Sequence, residues 1–597
     1  MIKYGASTSS SLIILLTLAL TLSAAGFSLD TSGYIGIDEI HPDMEAYCLS
    51  VFSGTEIEKF GLEILSVVRG AKPGQDMILV LGTDKRFQHS SAVHGCSGSS
   101  VFIDGRLAGA LAAGWDGSLD ALYLVRPIKD MLEVGTAESS ISTSDMRASG
   151  FDFSRPLNLE SYYQRSVGEL QNQHQDSRMY LPLSSSLPAQ VLQEHDHALK
   201  GMGFLPVAAG GLLPSRSFEE VGDYERGSVL SLVLCGGDIS LAATGTVTEV
   251  VGDQVYGFGH QYRGQGAIDL PMATGVIHTV VASRKSSFKL SSPGPVSGTL
   301  CFDQASGVRG TIGQMPKTLP LRIEVDRYND PKSRIYDCYL AVDQSVTPMI
   351  LQVVLDGAAN MQGPMPLEHT IRYSGQVTLP GGESIVIDNT SSDRQTSEMG
   401  RDFYSAVSLL MNNPFEEVHI NSVDVKMIME PVNKTASVWA VDVNRTDVYP
   451  GQTLTASVTL RSYRLEEQSV TISLEIPKTL APGNYKVKIL GADDYQSFVS
   501  KMAPQKFRAV DLNSLKTALN TLLGCRRDRL YAVMETPASG VVIRQHELGQ
   551  LPGTKTLLMQ DSKRLQPLEA YKAWVENHIG MDTIVQGSAE IEITVKQ

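Results

Sequence analysis

The sequence predicts a mainly β protein of several domains, and three observations lead there. The chain has 597 residues, room for roughly three to five domains of ordinary size. Hydrophobic residues make up 42% of it and charged residues 19%, enough apolar material for large cores. Its 53 glycines and 27 prolines punctuate short apolar runs, and few long helical periodicities interrupt them. This composition excludes a collagen, a coiled coil and a polytopic membrane protein. Lys and Arg number 50 against 65 Asp and Glu, a net charge of −15. Nucleic-acid binding relies on a basic surface that neutralises phosphates, so no such partner is expected.

The N-terminus predicts export. Lys3 precedes a Ser/Thr stretch, the apolar run Leu12 to Leu22 and then Ser23-Ala24-Ala25. A positive charge, a short apolar segment and small residues before a cut after Ala25 compose a secretory signal peptide over residues 1–25. The run is shorter than the ~20 residues that span a bilayer. No Cys follows it to carry a lipid. The expected location is extracytoplasmic, periplasmic or secreted, with no transmembrane helix after cleavage. Six scattered cysteines (Cys48, Cys96, Cys235, Cys301, Cys338 and Cys525) include no Cys-x-x-Cys, so neither a zinc ribbon nor a thioredoxin-like site is expected. An oxidising compartment permits disulfides without specifying pairs.

Along the chain, residues 26–135 read as short strands and tight turns. Gly61 to Val68 and Asp76 to Leu81 flank Lys72-Pro73-Gly74. Ser100 to Ile103 and Leu107 to Leu111 flank Asp104-Gly105, a strong hairpin signal. Residues 136–190 turn to Ser, Gln and Asp with little periodicity and read as a linker or insertion. Strands resume over 191–345, where Ala243 to Val250, Gly252-Asp253 and Gln254 to Phe258 form a hairpin that delivers Gly259-His260. Residues 346–439 read as a β-rich accessory region with a helix from Arg401 to Met411. Residues 440–500, with turns at Tyr449-Pro450-Gly451 and Ala481-Pro482-Gly483 between alternating strands, suggest a β-sandwich. Residues 501–597 read as α+β, with Asp511 capping a helix through Leu523 and a last strand at Ile591 to Val595.

Chemistry is sought first at Gly95-Cys96-Ser97-Gly98-Ser99, directly before the Asp-Gly hairpin. Glycines on both sides of a Ser let the backbone turn sharply and aim its amides at a bound carbonyl, as a nucleophile with an oxyanion hole requires. A Ser hydroxyl also needs a base. His260 stands at a predicted strand end, far downstream. Each feature alone is a weak signal, since Ser/Gly turns and single histidines are common.

The surrounding residues add a resemblance. Gly95 to Leu111 (GCSGSSVFIDGRLAGAL), with Gly114-Trp115 and Val125 to Leu132 after it, resembles the serine-peptidase domain of the SpoIVB family. There a GMSGSP-type motif precedes a strand, an Asn/Asp-Gly turn and a Gly-Ala strand. Ala242 to Met272 (AATGTVTEVVGDQVYGFGHQYRGQGAIDLPM) resembles that family's His-bearing segment, and Val51 to Leu81 the segment before the nucleophile. The resemblance spans roughly residues 34–345. It implies a trypsin-like double β-barrel, with Ser97 as nucleophile and His260 as general base of a serine endopeptidase. The amides of Gly95 and Ser97 become oxyanion-hole candidates. The family's acid precedes the nucleophile motif. Asp84 is the nearest match, with Asp76 and Asp269 as alternatives. A protein or peptide substrate, possible partners in the cell envelope, and no cofactor or metal follow as expectations.

The chain departs from that family in three ways. The Ser segment precedes the His segment, the reverse of the sporulation peptidase, which geometry tolerates because a triad is defined in space. Cys96 and Ser100 stand where Met and Pro are usual. No PDZ domain is recognisable. The alternative expectation is therefore an inactive peptidase-fold envelope protein that acts in binding or structure, and Cys96 is a second conceivable nucleophile. Glu194-His195-Asp196-His197 reads as a solvated turn rather than a metal site. Gly264-Gln265-Gly266 lacks the Lys-Ser/Thr of a phosphate loop. The bacterial source that the resemblance implies would make the sequons at Asn389, Asn433 and Asn444 chance matches.

Overall fold

The computed structural model describes residues 31–597 apart from 73, 137–150, 173–179, 209–221, 393–397, 538–539, 544, 550 and 560–567. The expected signal peptide lies outside the described residues. As the composition predicts, the chain is mainly β.

Its first unit is a closed barrel of β1 (Ala46–Val51), β2 (Ile57–Lys72), β3 (Gln75–Gly82), β5 (Ser100–Ile103), β6 (Arg106–Gly114) and β7 (Leu122–Pro127). The order is β1-β2-β3-β7-β6-β5, and β5 pairs back onto β1. Inward residues fill it: Phe60, Ile78, Val80, Phe87, Val101, Ile103, Tyr123 and Val125, with Cys48 and Cys96 among them. Asp104 and Gly105 have φ of 48° and 75°, the mirror-image two-residue turn that matches strand twist. The short β4 (Val93–His94) leaves the barrel and joins the next sheet.

That sheet begins with β8 (Leu181–Ser185) and β9 (Phe204–Ala208) and continues through β10 (Val229–Gly237), β11 (Leu241–Val251) and β12 (Gln254–Gly257). It then takes in β13 (Gly266–Val281), β14 (Ser287–Gln304) and β15 (Gly307–Ile312). Strands β10, β13, β14, β15, β12 and β11 pair in that order, and β11 pairs back onto β10, which closes a second circuit. The sheet runs on through β16 (Thr318–Arg327), β17 (Arg334–Ala341), β18 (Thr370–Thr378), β19 (Ser384–Ser391) and β20 (Ser422–Glu430). Strands β18 to β20 of the region 346–439 thus share sheet and core with the preceding region. Two helices, Thr347–Asn360 and Glu398–Met411, pack on it. The first is apolar nearly all round and buried along its length, as a core helix must be.

The polar stretch 136–190 contributes to this core through its described residues. It holds the helix Leu159–Asn172, which buries Tyr162, Tyr163 and Leu170, and it supplies β8 to β11. Farther on, a sandwich is present but wider than its sequence signal. Strands Thr435–Val443, Thr453–Ser462 and Glu467–Glu475 form one sheet with Ile584–Gln586. Strands Gly483–Leu490, Arg529–Thr536, Ala573–Gly580 and Ser588–Val595 belong to the other. Leu454, Val458 and Ile472 from the first and Ile489, Leu530 and Ile593 from the second share one core. Among the described residues no helix is long and apolar enough to cross a membrane.

Candidate active site

The Gly95–Ser99 loop lies where the first barrel meets the second circuit. β4 runs parallel to β14, with Val93 opposite Ser287 and His94 opposite Phe288, and so delivers the loop against β11 and β14. Gly95 and Gly98 have φ of +95° and +97°, a region that side chains disfavour. Gly98 has a second reason: a Cβ there would lie 2.0 Å from the Thr246 carbonyl and 2.6 Å from the Phe258 amide. The loop is tied down through the Gly98 amide to Leu111 O (2.7 Å), Thr246 N to Ser97 O (2.8 Å) and Thr248 Oγ1 to Gly98 O (2.7 Å). Ser100 donates to the Thr248 carbonyl (2.8 Å), a bond that a proline there could not make.

Ser97 is fully buried, and its hydroxyl has no hydrogen-bond partner among the described residues. The amides of Cys96, Gly98 and Ser99 donate to the carbonyls of Val93, Leu111 and Cys96, whereas the Ser97 amide has no acceptor among the described residues. A buried hydroxyl and a buried amide left without partners cost stability unless a ligand satisfies them.

The turn that carries His260 packs on this loop. Phe258 and Gly259 take φ of 64° and 68°, and a Cβ on Gly259 would lie 3.1 Å from the Leu111 carbonyl that receives the Gly98 amide. Phe258 stacks on His260 with ring centroids 6.4 Å apart. His260 is half-buried, and its Nδ1 lies 2.8 Å from the Gln261 carbonyl. A carbonyl only accepts, so Nδ1 carries the proton and Nε2 the lone pair, the tautomer a general base needs. The segment after His260 is anchored by Asp303, whose buried carboxylate accepts from the amides of Tyr262 (2.7 Å), Arg263 (2.6 Å) and Gly264 (2.6 Å). Burial raises the Asp303 carboxyl above its ordinary range, and these amides oppose the rise.

The three acids named from sequence have other engagements. Asp84 caps the helix Lys85–Ser90 and binds Arg86, whose guanidinium holds its carboxyl below the usual range. Asp76 accepts from the Gly70 amide and Arg69, and Asp269 from the Lys317 amide. The structure packs the Ser97 loop against the His260 turn, with no hydrogen bond between the Ser97 hydroxyl and the His260 ring, and ties each of the three acids to a different partner. The Cys96 thiol faces the barrel core, and burial pushes it up, away from the thiolate a nucleophile needs. His195 is buried against Asp356 (3.0 Å) rather than solvated, and among the described residues no His/Cys/Asp/Glu group is arranged to hold a metal.

Three groups near the loop escaped the sequence reading. His94 is buried, with Nε2 2.7 Å from Asp116 and Nδ1 2.9 Å from the Tyr180 carbonyl, so both ring nitrogens are engaged away from Ser97. Burial acts to raise the Asp116 carboxyl, and the His94 ring together with the Ser286 hydroxyl more than offsets it, so it sits below its ordinary value. Asp303 lies on a different strand from His260. Lys289 is fully buried beside Gly95. Its only signal is the alternation Ser287, Lys289, Ser291, which puts polar residues on one face of β14. Among known proteins, no family model, no curated protein and no solved structure matches this chain.

Proposed function

We propose that the chain is an extracytoplasmic serine endopeptidase of the SpoIVB type, with Ser97 as nucleophile and His260 as general base. One observation carries this reading: the Ser97 hydroxyl is held without a partner among the described residues on a doubly glycine-kinked loop packed against the His260 turn. Two six-stranded circuits meeting at that loop support the trypsin-like double barrel which the reading requires.

In this mechanism His260 Nε2 takes the Ser97 proton as Oγ attacks the peptide carbonyl. The tetrahedral oxyanion forms beside the amides of Ser97 and Gly95. His260 returns the proton to the departing amine, and water then hydrolyses the acyl-enzyme by the same route. The Gln261 carbonyl orients the ring from Nδ1, the place a triad carboxylate would hold. The protein or peptide substrate must reach a serine that is closed off in this structure, so the loop or the His260 turn has to open on binding.

A second reading, an inactive peptidase-fold envelope protein, is favoured by that same complete burial of Ser97. A fluorophosphonate probe on the folded mature chain separates the two. The peptidase reading expects labelling at Ser97 that is lost in Ser97→Ala and falls about 100-fold or more in His260→Ala. No labelling of the wild type would sink it, and labelling lost only in Cys96→Ala would move the nucleophile to the thiol.

A further inference from the structure

Lys289 is the least expected charge in the molecule. Its side chain is fully buried in β14, and among the described residues no carboxylate lies within ion-pair distance. Its neighbours are the thiols of Cys48 on β1 and Cys96 on the loop, the Phe52 ring (5.9 Å) and two hydroxyls. A methionine would fill the same volume without the cost of desolvating an ammonium. Something local must offset that cost.

The two hydroxyls show what does. Nζ donates to Ser50 Oγ (2.8 Å) and to Thr246 Oγ1 (3.2 Å). An ammonium only donates, so both hydroxyls accept from it and must send their own protons onward. Thr246 sends its proton to the Gly95 carbonyl (2.9 Å), at the start of the loop. Ser50 sends its proton to Ser99 Oγ (2.9 Å), at the end of the loop. The lysine stem meanwhile covers Gly95, where a Cβ would stand 3.1 Å from Lys289 Cβ.

We propose that Lys289 is a positioning residue for Ser97: through Ser50 and Thr246 its ammonium clamps both ends of the Gly95–Ser99 loop and fixes where the Ser97 hydroxyl stands. The catalytic meaning of the clamp rests on the reading of Ser97 as nucleophile. The clamp itself does not. Charge-assisted bonds at the head of each hydroxyl chain are stronger than neutral ones and set the direction of every bond behind them. Burial lowers the lysine's proton affinity and the two facing thiols work against that loss. The ammonium therefore gives up its proton below the ordinary 10.5, and the clamp loosens with it.

The test uses the full chain and two readouts. Loop opening is read as alkylation of Cys96 by N-ethylmaleimide, with Cys235, buried in the second circuit, as internal reference. Nucleophile presentation is read as the fluorophosphonate labelling rate of Ser97 against pH. In Lys289→Met, Cys96 should react about tenfold faster while Cys235 is unchanged, the factor one charge-assisted bond supplies. Ser97 labelling should fall by about 100-fold, as a misplaced nucleophile requires. The wild type's alkaline loss of labelling should disappear in that variant. Should both cysteines speed up together in Lys289→Met, Ser50→Ala and Thr246→Val decide: selective exposure of Cys96 in either supports the clamp. Unchanged Cys96 reactivity in Ser50→Ala, Thr246→Val and a folded Lys289→Met overturns it. Lys289-dependent Cys96 exposure in a wild type that never labels at Ser97 keeps the clamp and ends the serine-nucleophile reading.

Discussion

Around Ser97, glycine is a steric requirement at some positions and only a conformational convenience at others. Gly98 and Gly105 both have positive φ, yet a Cβ on Gly98 meets backbone at 2.0 Å while one on Gly105 meets nothing within 4 Å. Gly105→Ala should therefore cost about 1 kcal/mol, the left-handed penalty alone. Gly98→Ala should cost about 3 kcal/mol or more, because two backbones must part as well. Urea-unfolding midpoints of the two variants check this, and equal losses would contradict the close approach. Lys289 makes a second prediction. Its affinity for a proton is depressed on folding, so between the lowered value and 10.5 the unfolded chain binds more protons than the native one. The stability of the wild type relative to Lys289→Met should then rise with pH through that window. A difference that stays flat up to the ordinary lysine value would refute it. The sharp turn around Ser97 was legible from its flanking glycines. Lys289 and Asp303 were not, because a lone Lys or Asp in a strand reads as solvent-facing until the neighbouring strands are placed over it.

The helix Lys85–Ser90 gives Asp84 its role. The carboxylate accepts from the Arg86 amide at 2.9 Å and from the Arg86 side chain, which is what an N-cap does. Asp84→Asn should keep Ser97 labelling within about twofold, whereas loss of a true triad acid costs about 10⁴-fold. The pH sign is set by the lowered carboxyl: its contribution is complete above the ordinary 3.8 and fades as pH falls through the lowered value. The urea midpoints of wild type and Asp84→Asn should accordingly converge in acid, and a gap that widens there would exclude the cap. Other elements were written locally. Asp104-Gly105 forms its hairpin turn, and Asp511 accepts from the Ser514 amide (2.7 Å) to start the helix Leu512–Leu523. The helix Thr347–Asn360 went unread because it is apolar nearly all round, and periodicity marks a helix only when one face is polar.

At the scale of the molecule, the sheet does not stop at residue 345. β16 pairs in parallel with β20, Leu321 opposite Val423 through Arg327 opposite Met429, and the buried helix Thr347–Asn360 covers the same core. A chain ended at residue 345 should therefore fail as a soluble monomer, since it bares a long strand edge and an apolar seat. Sedimentation and limited proteolysis of that truncation check it, and a compact, protease-resistant monomer would restore the boundary. By itself the sequence determined the mainly β class, the hairpin turns, the helix cap at Asp511 and the two motifs around Ser97 and His260. These depend on residues within a few positions of each other, where φ preferences and alternation act directly. Only the tertiary structure decided that the two motifs meet, that Asp84 is a cap, that residues on both sides of 500 share one sandwich, and that a buried lysine holds the Ser97 loop. Those facts depend on strand pairings across hundreds of residues, and one sequence carries no local trace of which distant strand will lie against which.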